Sequence, residues 1–305
     1  MERGDFLPPD LIALACEHGF AAAYILDANL AADAPQGIST LFLMVYPYPS
    51  WGEASAGYAR ISTYYYAAHA AHQKAKKMGD ALNHMGESAQ LCSDVRLKPL
   101  LSRLHDFSQG KNTLHYHIRF GSRFHIQTIG LVRHYAMDES IFKKADHDMC
   151  GACRKCMNAC PTNAITPDGF ERAKCLRQYM MEGKPVPVEM RSKMGNSMLG
   201  CDICQQVCPY NSQLAKEAPA EDRYEIGQLL KKDQALLSHL TRQIGKNMSI
   251  PNRVLAQACL IAGNSGNQAY LPMLNELCSH PSAAVAEHAA WSVRKLSIES
   301  MQTTT

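Results

Sequence analysis

Eight of the chain's 12 cysteines fall between Cys150 and Cys208. Cys150, Cys153, Cys156 and Cys160 follow a C-x2-C-x2-C-x3-C pattern and precede Pro161, while Cys201, Cys204 and Cys208 precede Pro209. Cys175 is the one nearby cysteine that completes a set of eight. A disulfide framework spreads its cysteines along a small secreted chain. Here they crowd into one stretch of a 305-residue chain whose start, MERGDFLPPD, lacks the basic and then apolar pattern of a secretory signal. Thiolate metal ligands in a cytoplasmic protein are the expected reading.

Two-residue gaps let three thiolates wrap one cubane, and a fourth cysteine after a longer gap reaches a second cluster, as in two-cluster bacterial ferredoxins. The expected ligands of the first [4Fe-4S] cluster are therefore Cys150, Cys153, Cys156 and Cys208. Those of the second are Cys160, Cys175, Cys201 and Cys204. Four-cysteine zinc sites also use C-x2-C pairs, but a triple run closed by C-x3-C-P is not a zinc-ribbon spacing, and it recurs in variant form. The segment reads as an electron wire. Cys16, Cys92, Cys259 and Cys278 lie outside it and are expected to act as small hydrophobes.

The surrounding elements must position this wire. Pro8, Pro9 and Asp10 precede an apolar-periodic stretch that includes Leu11, Leu14, Ala15 and Phe20, which predicts an opening helix. The run Leu41 to Val45, closed by Pro47 and Pro49, predicts a buried central strand. It is also the longest strongly apolar run, far short of a membrane span. Tyr64 to Lys77 reads as helix. Residues 91–133 hold seven Lys or Arg against two Asp, in a chain whose net charge is only +3. They also hold His105, His115, His117 and His125, a basic face that is either simply solvated or meets a phosphate-bearing partner. Residues 213–225 read as a polar linker, and 226–305 as helices whose apolar residues (Val254, Ala258, Ile261; Leu271, Leu274, Leu277; Val285, Ala289, Val293, Leu296) keep helical spacing. One or two HEAT-type units of antiparallel helices, too few to stand alone, should pack on the body or serve as a docking surface.

The order VYPYP, QGKNT, FGS, the two cysteine motifs and the terminal helices resembles the epoxyqueuosine reductase family. The likeness covers most of the chain and is strongest in CGACRKCMNACPTNAI, LGCDICQQVCPYN, NRVLAQACLIAGNSGN and EHAAWSVRKL. It implies an α/β (α+β) cobalamin-binding domain over 1–145, a two-cluster ferredoxin-like domain over 146–212 and the HEAT-like tail, an architecture related to reductive dehalogenases. It also implies the activity, removal of the epoxide oxygen of epoxyqueuosine in tRNA. Electrons would pass through two [4Fe-4S] clusters to a base-off cobalamin without a histidine ligand, and an acid would protonate the departing oxygen. By their place in matched motifs, Arg60, Lys111, Asn112, Ser122 and Asp202 are the expected cobalamin neighbours. A monomer served by an external ferredoxin- or flavodoxin-type donor, with tRNA as partner and no membrane, completes the expectation.

The chain departs from the family where the acid belongs. The proton-donor aspartate stands three residues before a proline upstream of GKNT, and here that place is Arg96, before Pro99; Asp94, two positions away, is the expected substitute. The family's Asp-Tyr-His is matched by Thr63, Tyr64 and Tyr65, with His69 and His72 following. Tyr64, Tyr65 or His69 are alternative donors. Two other functions fit the same residues: these cofactors acting on a small molecule, or an electron-transfer protein serving a corrinoid partner.

Overall fold

The computed structural model describes residues 7–50, 54–143, 148–212 and 224–303. In chain order its elements are α1 (Pro8–Glu17), β1 (Ala22–Asp27), β2 (Thr40–Pro47), β3 (Arg60–Ile61), α2 (Thr63–His84), β4 (Ala89–Leu91) and α3 (Leu97–Leu101). Next come β5 (Phe107–Gln109), β6 (His115–His117), β7 (Phe124–Leu131), α4 (Lys155–Ala159), β8 (Ile165–Thr166), β9 (Gly169–Phe170), α5 (Leu176–Glu182) and α6 (Val188–Arg191). The chain closes with β10 (Ser197–Leu199), α7 (Ile203–Gln206), α8 (Ile226–Leu230), α9 (Gln234–Ile244), α10 (Pro251–Asn264), α11 (Leu271–Leu277) and α12 (Ala283–Thr303). They fall into two compact units. One holds residues 1–48, 67–153 and 209–214, the other 49–66, 154–208 and 215–305.

The first unit is built on a four-stranded sheet in the order β1-β2-β7-β4, with every neighbouring pair antiparallel. Of the two expected labels, α+β is therefore the apt one. The apolar run from Leu41 to Val45 is central, as its composition predicts, because both faces of β2 are covered and no polar alternation is needed. Phe42 and Met44 pack with Leu11, Leu14 and Ala15 of α1 and Ala71, Ala75, Met78 and Leu82 of α2. Leu41, Leu43 and Val45 face Leu100, Leu101, Leu104 and Phe107. The α1 start is held by its prolines and by the Leu7 N–H, which donates to the Asp10 carboxylate at 2.9 Å. Cys16 corrects the expectation of four core thiols. It is exposed, since a residue one position beyond Ala15 turns about 100° away from the buried stripe.

In the second unit β3 and β10 pair in parallel. Their residues Ile61, Met198 and Leu199 share one apolar core with Leu229, Leu240, Val254, Ala258, Leu274 and Val285 of the terminal helices. The terminal helices thus pack on β3 and β10 residues of their own unit. The helix-to-helix register adds a point that the periodicity did not reveal. His288 bonds Ala256, Ser292 bonds Cys259 and Lys295 bonds Gly263. These pairs climb together, so α10 and α12 run in the same direction, with α11 between them in sequence. Of the 213–225 linker, 213–223 lie outside the described residues. Its end is structured: Tyr224 is buried, and the Glu225 carboxylate accepts the N–H groups of Gly227 and Gln228 at 2.9 and 2.8 Å to cap α8. Among the described residues no helix is long and apolar enough to cross a membrane.

Candidate redox centre

The two cysteine motifs meet through short helices. Cys156 lies on α4 and Cys204 on α7, and these helices pack on each other. Cys160 ends α4, Cys175 caps the start of α5, and Cys201 follows the Gly200 turn. Burial chiefly pushes the Cys201 thiol up to about 11, and the negative charges of Cys175, Asp202 and Cys160 add to it. Cys201 thus lies within electrostatic reach of Cys175 and Cys160. Cys160 is biased the other way. Burial raises its thiol, but hydrogen bonds from Thr162, Ala164 and Ile165 outweigh it and hold the group below its ordinary range. The Ala164 N–H donates to Cys160 Sγ at 3.3 Å. A bound iron deprotonates a thiol outright, and N–H donors to sulfur stabilise the charge that results. Among the described residues no three His, Cys, Asp or Glu side chains close tightly enough to hold a single ion.

An ion pair backs this centre. Arg60 of β3 donates to the Asp202 carboxylate at the start of α7, and both side chains are largely buried, with 13% and 11% exposed. Gln206 reaches the same carboxylate at 3.4 Å. Arg177 on α5 stacks its guanidinium over Tyr64 at 4.6 Å, and the Tyr65 hydroxyl donates to Met181 Sδ at 3.2 Å. Both candidate tyrosine donors are thus engaged by α5. His69 and His72 are half-buried on α2.

The first motif opens in the other unit, where Cys150 and Cys153 follow a Met149 carbonyl that accepts the Tyr210 hydroxyl. GKNT forms the turn of the β5–β6 hairpin. Gly110 and Leu114 close the turn at 2.9 Å, and Thr113 sits at a φ of 63°, a strained left-handed position for a β-branched residue. The turn sends Lys111 outward to the cluster loop, where its ammonium donates to the carbonyls of Gly151 at 2.5 Å and Cys153 at 3.2 Å. Asn112 is buried and bonds Tyr116 Oη and Leu114 N. The FGS motif does parallel work. Ser122 N–H donates to Asn211 Oδ1 at 2.8 Å, and Asn211 Nδ2 donates back to Ser122 Oγ at 2.9 Å. Gly121, at a φ of 56°, could carry no Cβ, which would lie 2.2 Å from Asn211 Oδ1 and 2.7 Å from Tyr210 O.

The acid positions are less enclosed. Arg96 is exposed and donates through N and Nε to Asp33 at 2.8 and 3.0 Å. Asp94 stands exposed in the turn between β4 and α3. The basic segment corrects its own reading at His115 and His117, which are buried rather than presented on a solvated face, and His117 joins a polar cluster. His117 Nδ1 accepts the Arg119 N–H at 3.0 Å, which leaves Nε2–H to donate to Tyr24 Oη at 2.9 Å; Tyr24 donates in turn to Asp106 at 2.5 Å. Burial pushes His117 down to about 4 against the pull of Asp106. The remaining cysteines divide: Cys92 and Cys259 are buried, with the Cys259 thiol pushed up to about 12 by burial, and Cys278 is half-buried.

Residues 149–211 match the family described as 4Fe-4S double cluster binding domain. The chain is 31% identical to the epoxyqueuosine reductase of Alicycliphilus denitrificans over 205 residues, 61% of this chain and 55% of that one. It spans about half the length of that relative. A selenomethionine-labelled epoxyqueuosine reductase superposes with a TM-score of 0.78 at 18% identity, covering 94% of this chain and 90% of the other. The chain has the epoxyqueuosine reductase fold. A second structure with that fold, an epoxyqueuosine reductase with an epoxyqueuosine-modified tRNA-Tyr stem loop, gives a TM-score of 0.76 at 18% identity over 94% and 89% of the two chains. Within the epoxyqueuosine reductase fold, Tyr210 and Asn211 are the residues whose role motif reading missed. Their signal was present in the PYN that follows Cys208, but its partner, FGS, lies 89 residues away from it.

Proposed function

We propose that this chain reduces epoxyqueuosine to queuosine in tRNA, using cobalamin and two [4Fe-4S] clusters. The observation that carries the reading is that the similarity to an epoxyqueuosine reductase runs over 205 residues, far outside the 149–211 cluster segment that iron-sulfur proteins of many kinds share. We assign the first cluster to Cys150, Cys153, Cys156 and Cys208 and the second to Cys160, Cys175, Cys201 and Cys204. The nearness of Cys175 and Cys160 to Cys201, felt as charge on the Cys201 thiol, supports the second set. The helical segment 226–305 is read as HEAT-like, and 1–145 as the cobalamin-binding part.

The five residues matched to the family's cofactor region spend their polar atoms on the protein. Arg60 and Asp202 pair with each other, Lys111 holds the first cysteine loop, Asn112 closes its own turn, and Ser122 locks onto Asn211. Their bonds hold the cluster segment and its neighbouring turns, and none is assigned as a direct corrin ligand. Cobalamin, when bound, supplies the electrons that open the epoxide. The chain's own tasks are to hold the clusters, exclude water and deliver a proton, and Asp94 is the residue proposed for the last. An external ferredoxin- or flavodoxin-type donor would feed a monomeric enzyme.

The deciding experiment is nucleoside analysis of tRNA from a strain lacking this gene as its only such reductase. Accumulated epoxyqueuosine is the expected result, and unchanged queuosine would refute the assignment. A second reading keeps the cofactors and changes the substrate. It is favoured by Arg96, an exposed cation paired to Asp33 at the place of the family's acid. Unchanged queuosine together with stoichiometric cobalamin and about eight irons would support it.

A further inference from the structure

The GKNT lysine has a site of its own. Its ammonium lies on the carbonyls of Gly151 and Cys153, both within the first C-x2-C step, at 2.5 and 3.2 Å. Among the described residues it forms no ion pair, and its side chain is half-buried. The turn that aims it is built for the purpose. Thr113 holds a left-handed φ of 63°, its carbonyl takes the Lys98 ammonium at 3.0 Å, and the buried Asn112 bonds Tyr116 Oη at 2.9 Å. Strain of this kind persists only where the surroundings over-determine it. A cubane held by four thiolates is net negative, and reduction adds one more negative charge. A fixed cation on the backbone of its loop favours the reduced form, and local charge is one of the quantities that set such potentials.

We infer that Lys111 is a positioning residue of the first cluster: it staples the Gly151–Cys153 loop and raises that cluster's reduction potential. The inference rests on the cluster assignment above. It gives the two clusters of one chain different electrostatic surroundings, with a loop-bound ammonium, among the described residues, at the first.

The test compares Lys111→Gln, which keeps a donor without charge, with Lys111→Arg, which keeps the charge. Both are purified anaerobically, assayed for iron and sulfide, and titrated with EPR detection. In Lys111→Gln one of the two midpoints should move negative while the other stays. At the parent midpoint its reduced-to-oxidised ratio should fall about three- to tenfold, tenfold being 59 mV for a one-electron couple. Lys111→Arg should restore it. Loss of about half the iron in the Gln variant with retention in the Arg variant also supports the role. Two unmoved midpoints, an equal shift of both, or equal iron loss in both variants overturns it. If the parent chain holds zinc without sulfide, the cluster assignment itself has failed, and that result is read before either variant.

Discussion

At the scale of single residues, the eight cysteines are distinguished by their surroundings as well as their spacing. The Cys201 thiol is half-buried and pushed up to about 11, while Cys160 is held low by donors from Thr162, Ala164 and Ile165. The proposed crossed ligation assigns Cys208 to the cluster that the first motif begins. Cys208→Ala should therefore leave about four irons with an EPR signal matching that of Cys150→Ala; a signal matching Cys204→Ala instead would disprove the crossing. Asp94→Asn should retain full iron and lower turnover by about 10² to 10⁴, the usual contribution of a general acid. Parental turnover would remove Asp94 from the mechanism. Asp94 could be chosen from sequence only by its nearness to Arg96, and the fold leaves it exposed in a turn.

Elements place these residues through a few exact fits. Gly121 is fixed by space and backbone together, since a Cβ there would meet Asn211 Oδ1 at 2.2 Å on a backbone with φ of 56°. Gly121→Ala should cost about 2 kcal/mol and break the reciprocal Ser122–Asn211 bonds, seen as a lower melting temperature and faster iron loss on dilution. A parental melt would show that the turn yields without penalty. The Arg60–Asp202 pair joins β3 to α7 with both side chains mostly out of water. Removing one member strands the other, a loss of roughly 3–5 kcal/mol for a buried pair. Arg60→Met should therefore destabilise the fold more than the double variant Arg60→Met with Asp202→Leu, and equal melts would deny the pair that role.

Across the whole molecule, buried histidines tie stability to pH. His115, His117 and His288 are each pushed down to about 4, above all by burial, which disfavours the charged ring. In the unfolded chain they titrate near 6.5. Between about 6.5 and 4 the unfolded state thus binds more protons, and stability falls as the pH falls. Each could contribute up to about 3 kcal/mol over that window. The melting temperature should be level above pH 7 and drop steadily toward pH 4.5, less steeply in His288→Gln, because His288 accepts the Val186 N–H and donates to Ala256. A melt unchanged between pH 7 and 5 would contradict this. The net charge of +3 is small, so the proposed affinity for tRNA calls for local basic surface. It should fall linearly with the logarithm of salt concentration, and salt-independent binding would argue against phosphate contacts.

The sequence by itself determined the covalent logic of this protein. Cysteine spacing is a local property: two-residue gaps limit which thiols can share a cubane, and the apolar run from Leu41 to Val45, closed by prolines, marked a buried central strand. Helical periodicity likewise marked the tail. Only the tertiary structure decided what the intervening motifs touch. Lys111 falls on Gly151 and Cys153, and Ser122 on Asn211, across 40 and 89 residues of chain respectively, and no local pattern encodes such a pairing. The Tyr24–Asp106–His117 cluster and the shared direction of α10 and α12 were hidden for the same reason. Spacing along a chain specifies geometry over a few residues, whereas the partner of a turn is chosen by how the sheet and helices bring distant segments together.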